Sequence, residues 1–496
     1  MKKKIILLMA ISLSVLSCQE DDITYRPLNA VNESTVLKTP ADFENAIRGS
    51  YVYMRDGSGY GGEFLIDTEV MTDNLIYNPG GRGTNLDGFR WISTANSAHF
   101  DYLEAAYRPS EIASKVINNI GNLPASAQRD NIEGEARFVR ALTHFDMVRS
   151  YSKIPTQSAD AMSSLGVYYL ETFEPFARPS RPTVQETYSK IIEDLEIAHD
   201  KIGASNSVTA GRASKSAVAG LLSRVYLYMG DYAKVIQYGQ SALDNATGAM
   251  GTITGVVPPP AVPPVPPATA PSPESDYVKI WDDASVNGVL FKIIIQDVDN
   301  TIPGTVYFQG GANARKSEYV ASKELMDLYS DTDIRKKTYI ANSKYAGKFY
   351  NHVIKYDGKT SGTANVNDIK IVRMEEVLLN MAEAQYRLNG GGLATLDLLR
   401  AKRYSNFTAG SETGQQLLDA ILLERRLELA FEMDRFYTLK RLNLDMNRSA
   451  TDGQFSDGTG VPANVTFIAA GDFRWQMPIP KYYRDLNPNY QQNPGY

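Results

Sequence analysis

The sequence predicts a mainly α-helical fold in which helical hairpins build a curved scaffold, joined by long irregular loops and a few short β-strands. Residues 217–243 and 373–402 each contain two amphipathic segments separated by a glycine-containing turn, as in tetratricopeptide hairpins. Such hairpins bury their apolar faces only by stacking on neighbours, which predicts a curved array. A further segment, residues 417–441, lacks Gly and Pro and is rich in strong helix formers.

We expect residues 417–441 to form one continuous helix at the centre of the molecule. Leu, Ile and Phe occur on nearly every side of this helix, a pattern that a solvent-exposed helix would not require. The interleaved Glu and Arg side chains must then form ion pairs, because an unpaired buried charge is costly. We interpret the segment as a structural spine rather than a catalytic element.

The composition argues against several classes of protein. Of the 496 residues, 43% are hydrophobic and 22% are charged, which is ordinary for a globular chain. The net charge of -6 argues against a nucleic-acid-binding protein. A single cysteine, Cys18, rules out an intramolecular disulfide, and the four histidines are too scattered to suggest a zinc hydrolase. We expect His144, which lies among apolar neighbours, to be a core residue, and we predict no metal site and no cofactor.

Four segments carry a resemblance to a known family. Residues 424–441 resemble the "ERR-ELAFE--R---LKR" signature of the SusD/RagB family, and residues 478–496 are similar to its "PIP---I--NP-L-QNPGY" ending. Residues 135–155 and 373–384 also resemble family helices, the first of them opened by an apparent capping box at residues 130–133. The resemblance implies a SusD-like fold over the chain from Cys18 onward.

The resemblance also implies a function. Members of this family are surface lipoproteins that capture nutrients, so we expect an outer-membrane protein that binds an oligosaccharide or polysaccharide and delivers it to a TonB-dependent, SusC-like transporter. A peptide-binding, RagB-like member is the main alternative. A glycoside hydrolase and a purely structural lipoprotein remain further hypotheses, although no pair of carboxylates stands out as catalytic.

The N-terminus resembles a lipoprotein signal. A basic start is followed by an apolar run from Ile5 to Leu16, too short for a stable membrane anchor, and then by Ser17 and Cys18. We therefore predict a signal peptide at residues 1–17, lipidation of Cys18 and attachment to the outer membrane facing the cell exterior. A plain secretory signal with an incidental cysteine is the alternative. Residues 18–40 are then a tether, and residues 41–496 a single domain with a Pro-rich loop insert at 248–275.

Two loops are candidate ligand surfaces. Residues 63–97 read as a long irregular stretch, and residues 301–311 as a shorter loop rich in Gly and aromatic residues. Aromatic faces can cover the C–H faces of a sugar ring, while Arg, Asn and Asp form hydrogen bonds with its hydroxyl groups. The predicted ligand-binding residues are Asp73, Arg82, Phe89, Trp91, Asn96, Tyr307 and Phe308. An ordinary loop with packed aromatic residues is the open alternative for residues 63–97.

Overall fold

The computed structural model describes residues 36–203, 206–251, 275–299, 303–311, 314–360 and 363–496. The predicted signal peptide, the lipidation site Cys18 and most of the predicted tether lie outside the described residues. So does nearly all of the Pro-rich insert.

Helices form most of the regular structure, and we number them in chain order. They are α1 (Pro40–Tyr53), α2 (Glu63–Val70), α3 (Leu86–Phe89), α4 (Leu103–Asn119), α5 (Ala127–Tyr151), α6 (Val184–Lys201), α7 (Lys215–Met229), α8 (Tyr232–Asp244), α9 (Val278–Trp281), α10 (Pro303–Tyr307), α11 (Lys323–Leu328), α12 (Ile334–Tyr339), α13 (Met374–Asn389), α14 (Leu393–Arg400), α15 (Gly414–Glu428), α16 (Asp434–Arg441) and α17 (Lys481–Leu486). The prediction of a mainly α-helical fold with a few short strands is confirmed.

The strands are short. They are β1 (Leu75–Tyr77), β2 (Val289–Ile293), β3 (Gln309–Gly311), β4 (Ala314–Lys316), β5 (Tyr319–Ala321), β6 (Ile340–Tyr345), β7 (Lys348–Val353), β8 (Ile369–Arg373), β9 (Met446–Asn447) and β10 (Phe467–Ile468). An antiparallel sheet has the order β1-β5-β7-β6, and the pairs β2–β8, β3–β4 and β9–β10 are separate. In the sheet, Val320 lies opposite both Ile76 and His352.

Both predicted hairpins are present, and they pack against each other. Helices α7 and α8 are joined at Gly230, whose φ of 77° is the left-handed conformation that glycine adopts without strain. Helix α13 packs on α8, α14 and α15, so the second hairpin extends the first. Gly239 allows the close approach of α8 to α13, because a Cβ atom there would lie 2.5 Å from Cγ of Met381.

Three local expectations are wrong. Residues 63–97 are not irregular throughout, because they contain α2, β1 and α3. Helix α5 begins before the proposed capping box: Oγ of Ser126 accepts a hydrogen bond from the backbone N–H of Arg129 and sets its start. The expected continuous helix at 417–441 is two helices, α15 and α16, separated at residues 429–433.

A buried carboxylate from another helix occupies this break. Phe431 and Met433 have φ values of 68° and 57°, which no α-helix accommodates. Their backbone N–H groups donate to the carboxylate of Glu69 on α2, at 3.1 and 3.2 Å. These contacts supply acceptors for N–H groups that the interrupted helix leaves without one.

Charged side chains fill the interior around the C-terminus of α15, as the ion-pairing expectation required. The carboxylate of Glu428 is fully buried and accepts hydrogen bonds from three guanidinium groups. They belong to Arg335 at 3.2 Å, Arg373 at 2.9 Å and Arg403 at 2.8 Å. Burial alone would raise the pKa of Glu428, but the three positive charges hold it well below its usual range.

Each of these arginines also binds a second carboxylate. Arg335 pairs with Glu424 at 2.6 Å. Arg373 pairs with Glu432 at 2.7 Å. Arg403 pairs with Glu375 at 2.7 Å. The network therefore joins α12, β8, α13 and the segment after α14 to the predicted spine.

We expect Glu428→Gln to destabilise the fold strongly. The substitution leaves three buried guanidinium groups without their shared negative charge, and breaking a buried ion pair costs about 3–5 kcal/mol. Urea unfolding measures the loss. Glu104→Gln is the matched control, because Glu104 pairs with Arg108 on the exposed surface of α4 and its loss should change stability by less than about 1 kcal/mol. Equal effects of the two substitutions would contradict a central role for Glu428.

The Glu69 carboxylate should make stability depend on pH. Burial raises its pKa from 4.5 to about 7, although the hydrogen bonds it accepts oppose the shift. The folded chain then holds a proton that the unfolded chain releases, so stability should fall by about 3 kcal/mol as pH rises from 4.5 to 7. Urea unfolding across this range should show that the free energy of unfolding falls less steeply with pH in Glu69→Gln than in the wild type, because glutamine does not titrate. An unchanged slope would contradict the assignment.

Candidate functional site

The two loops chosen from the sequence meet at one side chain, Glu318. This residue lies just before β5, and pairing of β5 with β1 places it beside the first loop. The backbone N–H of Asn78 donates to its carbonyl oxygen at 2.8 Å. From the second loop, Nε2 of Gln309 donates to its carboxylate at 2.5 Å.

The carboxylate of Glu318 also holds the tip of the first loop. Nε of Arg82 donates to it at 2.8 Å, and the backbone N–H of Thr84 at 3.0 Å. Burial would raise the pKa of Glu318, but the Thr84 N–H and the Arg82 guanidinium together lower it, so the carboxylate stays ionised. We call the surface formed by Tyr77, Asn78, Arg82, Thr84, Gln309 and Glu318 the Glu318 platform.

Glycines permit this close approach. A Cβ atom on Gly81 would lie 3.0 Å from Cα of Glu318, so any larger residue would push the loop away. Gly83 has a φ of 85°, which side-chain-bearing residues rarely adopt. The geometry of the platform thus requires glycine at positions 81 and 83.

The platform presents mixed chemistry to solvent. The side chain of Glu318 is fully buried, whereas that of Arg82 is 58% exposed. One edge of the Arg82 guanidinium is therefore held by Glu318, and the rest of the guanidinium faces solvent. Beside it, the half-buried ring of Tyr77 rests on Tyr319 and Phe89, with ring centroids 5.5 and 6.2 Å away. A ring, a guanidinium, a hydroxyl and an amide in one place can bind a polyhydroxylated ligand.

Five of the seven predicted ligand-binding residues are buried. Asp73 binds Arg435 at 2.6 Å, and the indole N–H of Trp91 donates to the carbonyl oxygen of Met71 at 2.9 Å. The others are Phe89, Tyr307 and Phe308, each at most 4% exposed. Contrary to expectation, these rings present no free face to solvent, because they pack inside the fold. Their ligand-binding role is therefore not carried into the proposal below.

These buried residues support the platform from beneath. Phe89 lies under the guanidinium of Arg448, whose carbon is 4.1 Å from the ring centroid. That guanidinium donates to the carbonyl oxygens of Val70, Thr72 and Phe89 at 2.7–2.9 Å. Arg448 thereby ties together both ends of the segment that contains β1. Burial lowers the pKa of Arg448 to about 9, although the negative charge of Asp73 opposes the shift.

The remaining two predicted residues, Arg82 and Asn96, are exposed, and their role in ligand binding stays a prediction. Only Arg82 is part of the platform. Sequence reasoning missed Glu318, Gln309 and Thr84, since nothing in their local sequence marks them. The pairing of β1 with β5 is the signal that would have found them.

The histidines do not form a site. His144 is buried and accepts a hydrogen bond from the backbone N–H of Leu170 at 3.0 Å, and burial lowers its pKa to about 3. It is the core residue that the sequence predicted. Across the described ranges, no three His, Cys, Asp or Glu side chains are grouped so that they could hold a metal ion. None of the helices in those ranges has the length and apolar character needed to cross a membrane.

Comparisons with known proteins place the chain in a family. A model described as "SusD family" matches residues 293–496, and a model described as "Starch-binding associating with outer membrane" matches residues 65–227. The chain belongs to the SusD/RagB family. SusD-like protein P2 of Formosa agariphila is 24% identical over 550 residues, and the match covers 100% of both chains.

Solved structures of SusD superfamily proteins share the fold. One from Bacteroides vulgatus has a TM-score of 0.78 at 23% identity, covering 93% of this chain and 100% of that chain. One from Bacteroides thetaiotaomicron has a TM-score of 0.77 at 23% identity, covering 92% and 100%. A SusD-like carbohydrate binding protein from Bacteroides vulgatus has a TM-score of 0.70 at 19% identity, covering 92% and 98%.

Stability measurements separate supporting residues from surface residues. Trp91→Ala should lower the free energy of unfolding by about 3–5 kcal/mol, because it removes a buried ring that packs against Trp475 at a centroid distance of 5.0 Å. Arg82→Ala should cost less, about 1–2 kcal/mol, because the buried Glu318 carboxylate keeps its donors Thr84 and Gln309. Chemical denaturation tests both, and a stable Trp91→Ala protein would contradict the packing role.

Proposed function

We propose that this protein is a lipid-anchored protein of the outer membrane, facing the cell exterior, that binds a glycan and delivers it to a TonB-dependent, SusC-like transporter. Membership of the SusD/RagB family supports the proposal, and one matching family model is described as starch-binding and associated with the outer membrane. A relative in fold is named a carbohydrate binding protein.

The convergence of two loops on Glu318 is the observation that carries the proposed ligand site. The platform offers the ring of Tyr77, the fixed guanidinium of Arg82 and the amide of Gln309 within one surface. Because Glu318 anchors these groups before a ligand arrives, binding loses less side-chain freedom. A sugar would place its C–H face on the Tyr77 ring and its hydroxyl groups against Arg82 and Thr84.

Delivery follows from tethering. With Cys18 lipidated, the 17 residues 19–35 span at most roughly 60 Å when fully extended. The binding domain then stays close to a transporter in the same membrane, which makes transfer of the ligand effectively intramolecular. The acidic run Glu20-Asp21-Asp22 begins two residues after Cys18 and resembles the signal that sends such lipoproteins to the outer face of the outer membrane. In this role the protein captures its ligand without catalysis.

Ligand titration of Arg82→Ala tests the function. The soluble protein beginning at Gln19 should bind at least one member of an oligosaccharide panel saturably and without product release. Arg82→Ala should weaken that binding at least tenfold, because a hydrogen bond from a charged donor contributes about 1.5–3 kcal/mol. Intrinsic fluorescence and product analysis supply the readouts.

Arg178→Ala is the matched control, since Arg178 is exposed and lies outside the platform. Binding only of peptides in a parallel panel would replace the glycan with a peptide ligand. Product release would overturn the binding-protein role. Full binding by Arg82→Ala would move the site away from the Glu318 platform.

A further inference from the structure

A cleft with a volume of about 410 Å³ lies elsewhere on the molecule and shares no lining residue with the Glu318 platform. It lies between the C-terminal half of α1, the turn at Gly211 and the end of β2. Its lining includes Arg48, Val52, Arg55, Arg212, Ile294 and Gln296. Arg48, Val52 and Arg55 follow one another at four- and three-residue steps, so they lie along one side of the chain as α1 ends. We call this feature the arginine cleft.

Two of its three arginines have unused hydrogen-bond donors. Nε of Arg55 is buried and has no hydrogen-bond partner within the described structure. The only ion pair of Arg55 there is a 3.4 Å contact from Nη1 to Asp299. Arg48 is exposed and forms no ion pair with any described residue. Because this ion pair uses one nitrogen of the guanidinium, Arg55 keeps further N–H donors for an incoming oxyanion.

The third arginine is already engaged and shapes the wall. Arg212 pairs with Glu44 at 2.8 Å and with Glu135 at 2.5 Å. Tyr51, which also lines the cleft, donates from its hydroxyl to Glu135 at 2.9 Å. These contacts hold Arg212 in the wall of the cleft. The guanidinium groups of Arg48 and Arg55 are then the ones available to a ligand.

Apolar side chains complete the cleft. The side chain of Val52 on α1 is 52% exposed, and Ile294 lies beside Gly211. A cleft of several hundred Å³ with an apolar wall and a few directed polar groups has the form of a small-molecule site. Guanidinium groups bind planar carboxylates and tetrahedral sulfates through paired N–H donors.

We propose that the arginine cleft binds an acidic sugar unit, through either its carboxylate or its sulfate ester, at Arg48 and Arg55. The oxyanion pairs with the guanidinium groups of Arg48 and Arg55, and the sugar ring packs against Val52 and Ile294. Since the whole chain carries a net charge of -6, recognition of an anionic ligand requires such a local group of cations. The proposal rests on the proposed glycan-binding function and adds that the captured glycan carries negative charge.

Calorimetric titration of the soluble protein beginning at Gln19 tests the proposal with three probes. Tetragalacturonate presents carboxylates, its methyl ester is a neutral analogue of the same backbone, and glucose 6-sulfate presents a sulfate. Tetragalacturonate or glucose 6-sulfate should bind at least tenfold more tightly than the methyl ester. The affinity should fall as salt rises, because the contact is ionic. Tighter binding of tetragalacturonate would indicate a carboxylate site, and tighter binding of glucose 6-sulfate would indicate a sulfate site.

Substitutions then locate the binding. Arg48→Gln and Arg55→Gln should each weaken binding of the anionic probe at least fivefold, whereas Arg178→Gln should leave it unchanged. Arg48 is exposed, so its substitution leaves the fold intact, and thermal melting verifies the fold of Arg55→Gln. Equal binding of the methyl ester, or full binding by both variants, would overturn the arginine cleft as an anion site.

Failure of the cleft and failure of the proposed function are distinguishable. Neutral oligosaccharide binding that depends on Arg82 but not on Arg48 would overturn the cleft and retain the function. Absence of any saccharide binding would overturn both.

A variant with Glu20→Gln, Asp21→Asn and Asp22→Asn tests whether the chain's own acidic segment fills the cleft. Anion binding that arises only in this variant would make that segment the occupant and overturn the proposal.

Discussion

The fold depends on one buried carboxylate, Glu428, and the three guanidinium groups around it. They come from Arg335, Arg373 and Arg403, which are separated from Glu428 by 93, 55 and 25 residues. Buried ions require partners with good geometry, so the network specifies how α12, β8 and α15 meet more narrowly than apolar packing would. In this structure, the charged residues of the family signature in this region form an interior ion-pair network.

The spine also positions the candidate ligand surface. Arg426 donates to Asn74 at 3.0 Å and pairs with Asp73 at 3.2 Å, while Arg435 pairs with Asp73 at 2.6 Å. These contacts hold the residues just before β1, and β1 in turn pairs with β5 and places Glu318 beside Asn78. The aromatic residues of the two loops pack beneath this connection, which explains why Trp91 and Phe89 are buried while Arg82 remains at the surface. Ion pairs of the spine segment with Asp73 thus help to fix the position of the platform.

The interruption of the expected spine helix shows how tertiary contacts override helix propensity. Residues 429–433 have a strongly helical composition, yet Phe431 and Met433 adopt left-handed conformations. The carboxylate of Glu69, more than 360 residues away, accepts their N–H groups and replaces the helical hydrogen bonds. No pattern within residues 417–441 reveals that partner. The start of α5 differs from the expected one for a simpler reason, since Ser126 caps the helix one turn before the capping-box motif at residues 130–133.

The sequence by itself determined the family, the helical hairpins and the burial of paired charges in the spine, because periodicity and local motifs are properties of neighbouring residues. It also predicts two candidate ligand loops and a ligand-binding role for Arg82, and these stay predictions. Only the tertiary structure decided which loop residues face solvent, that Glu318 joins the two loops, and that Arg48 and Arg55 share a cleft with β2. Those relations join residues that are distant along the chain, and burial depends on what packs against a side chain. Local sequence carries neither kind of information.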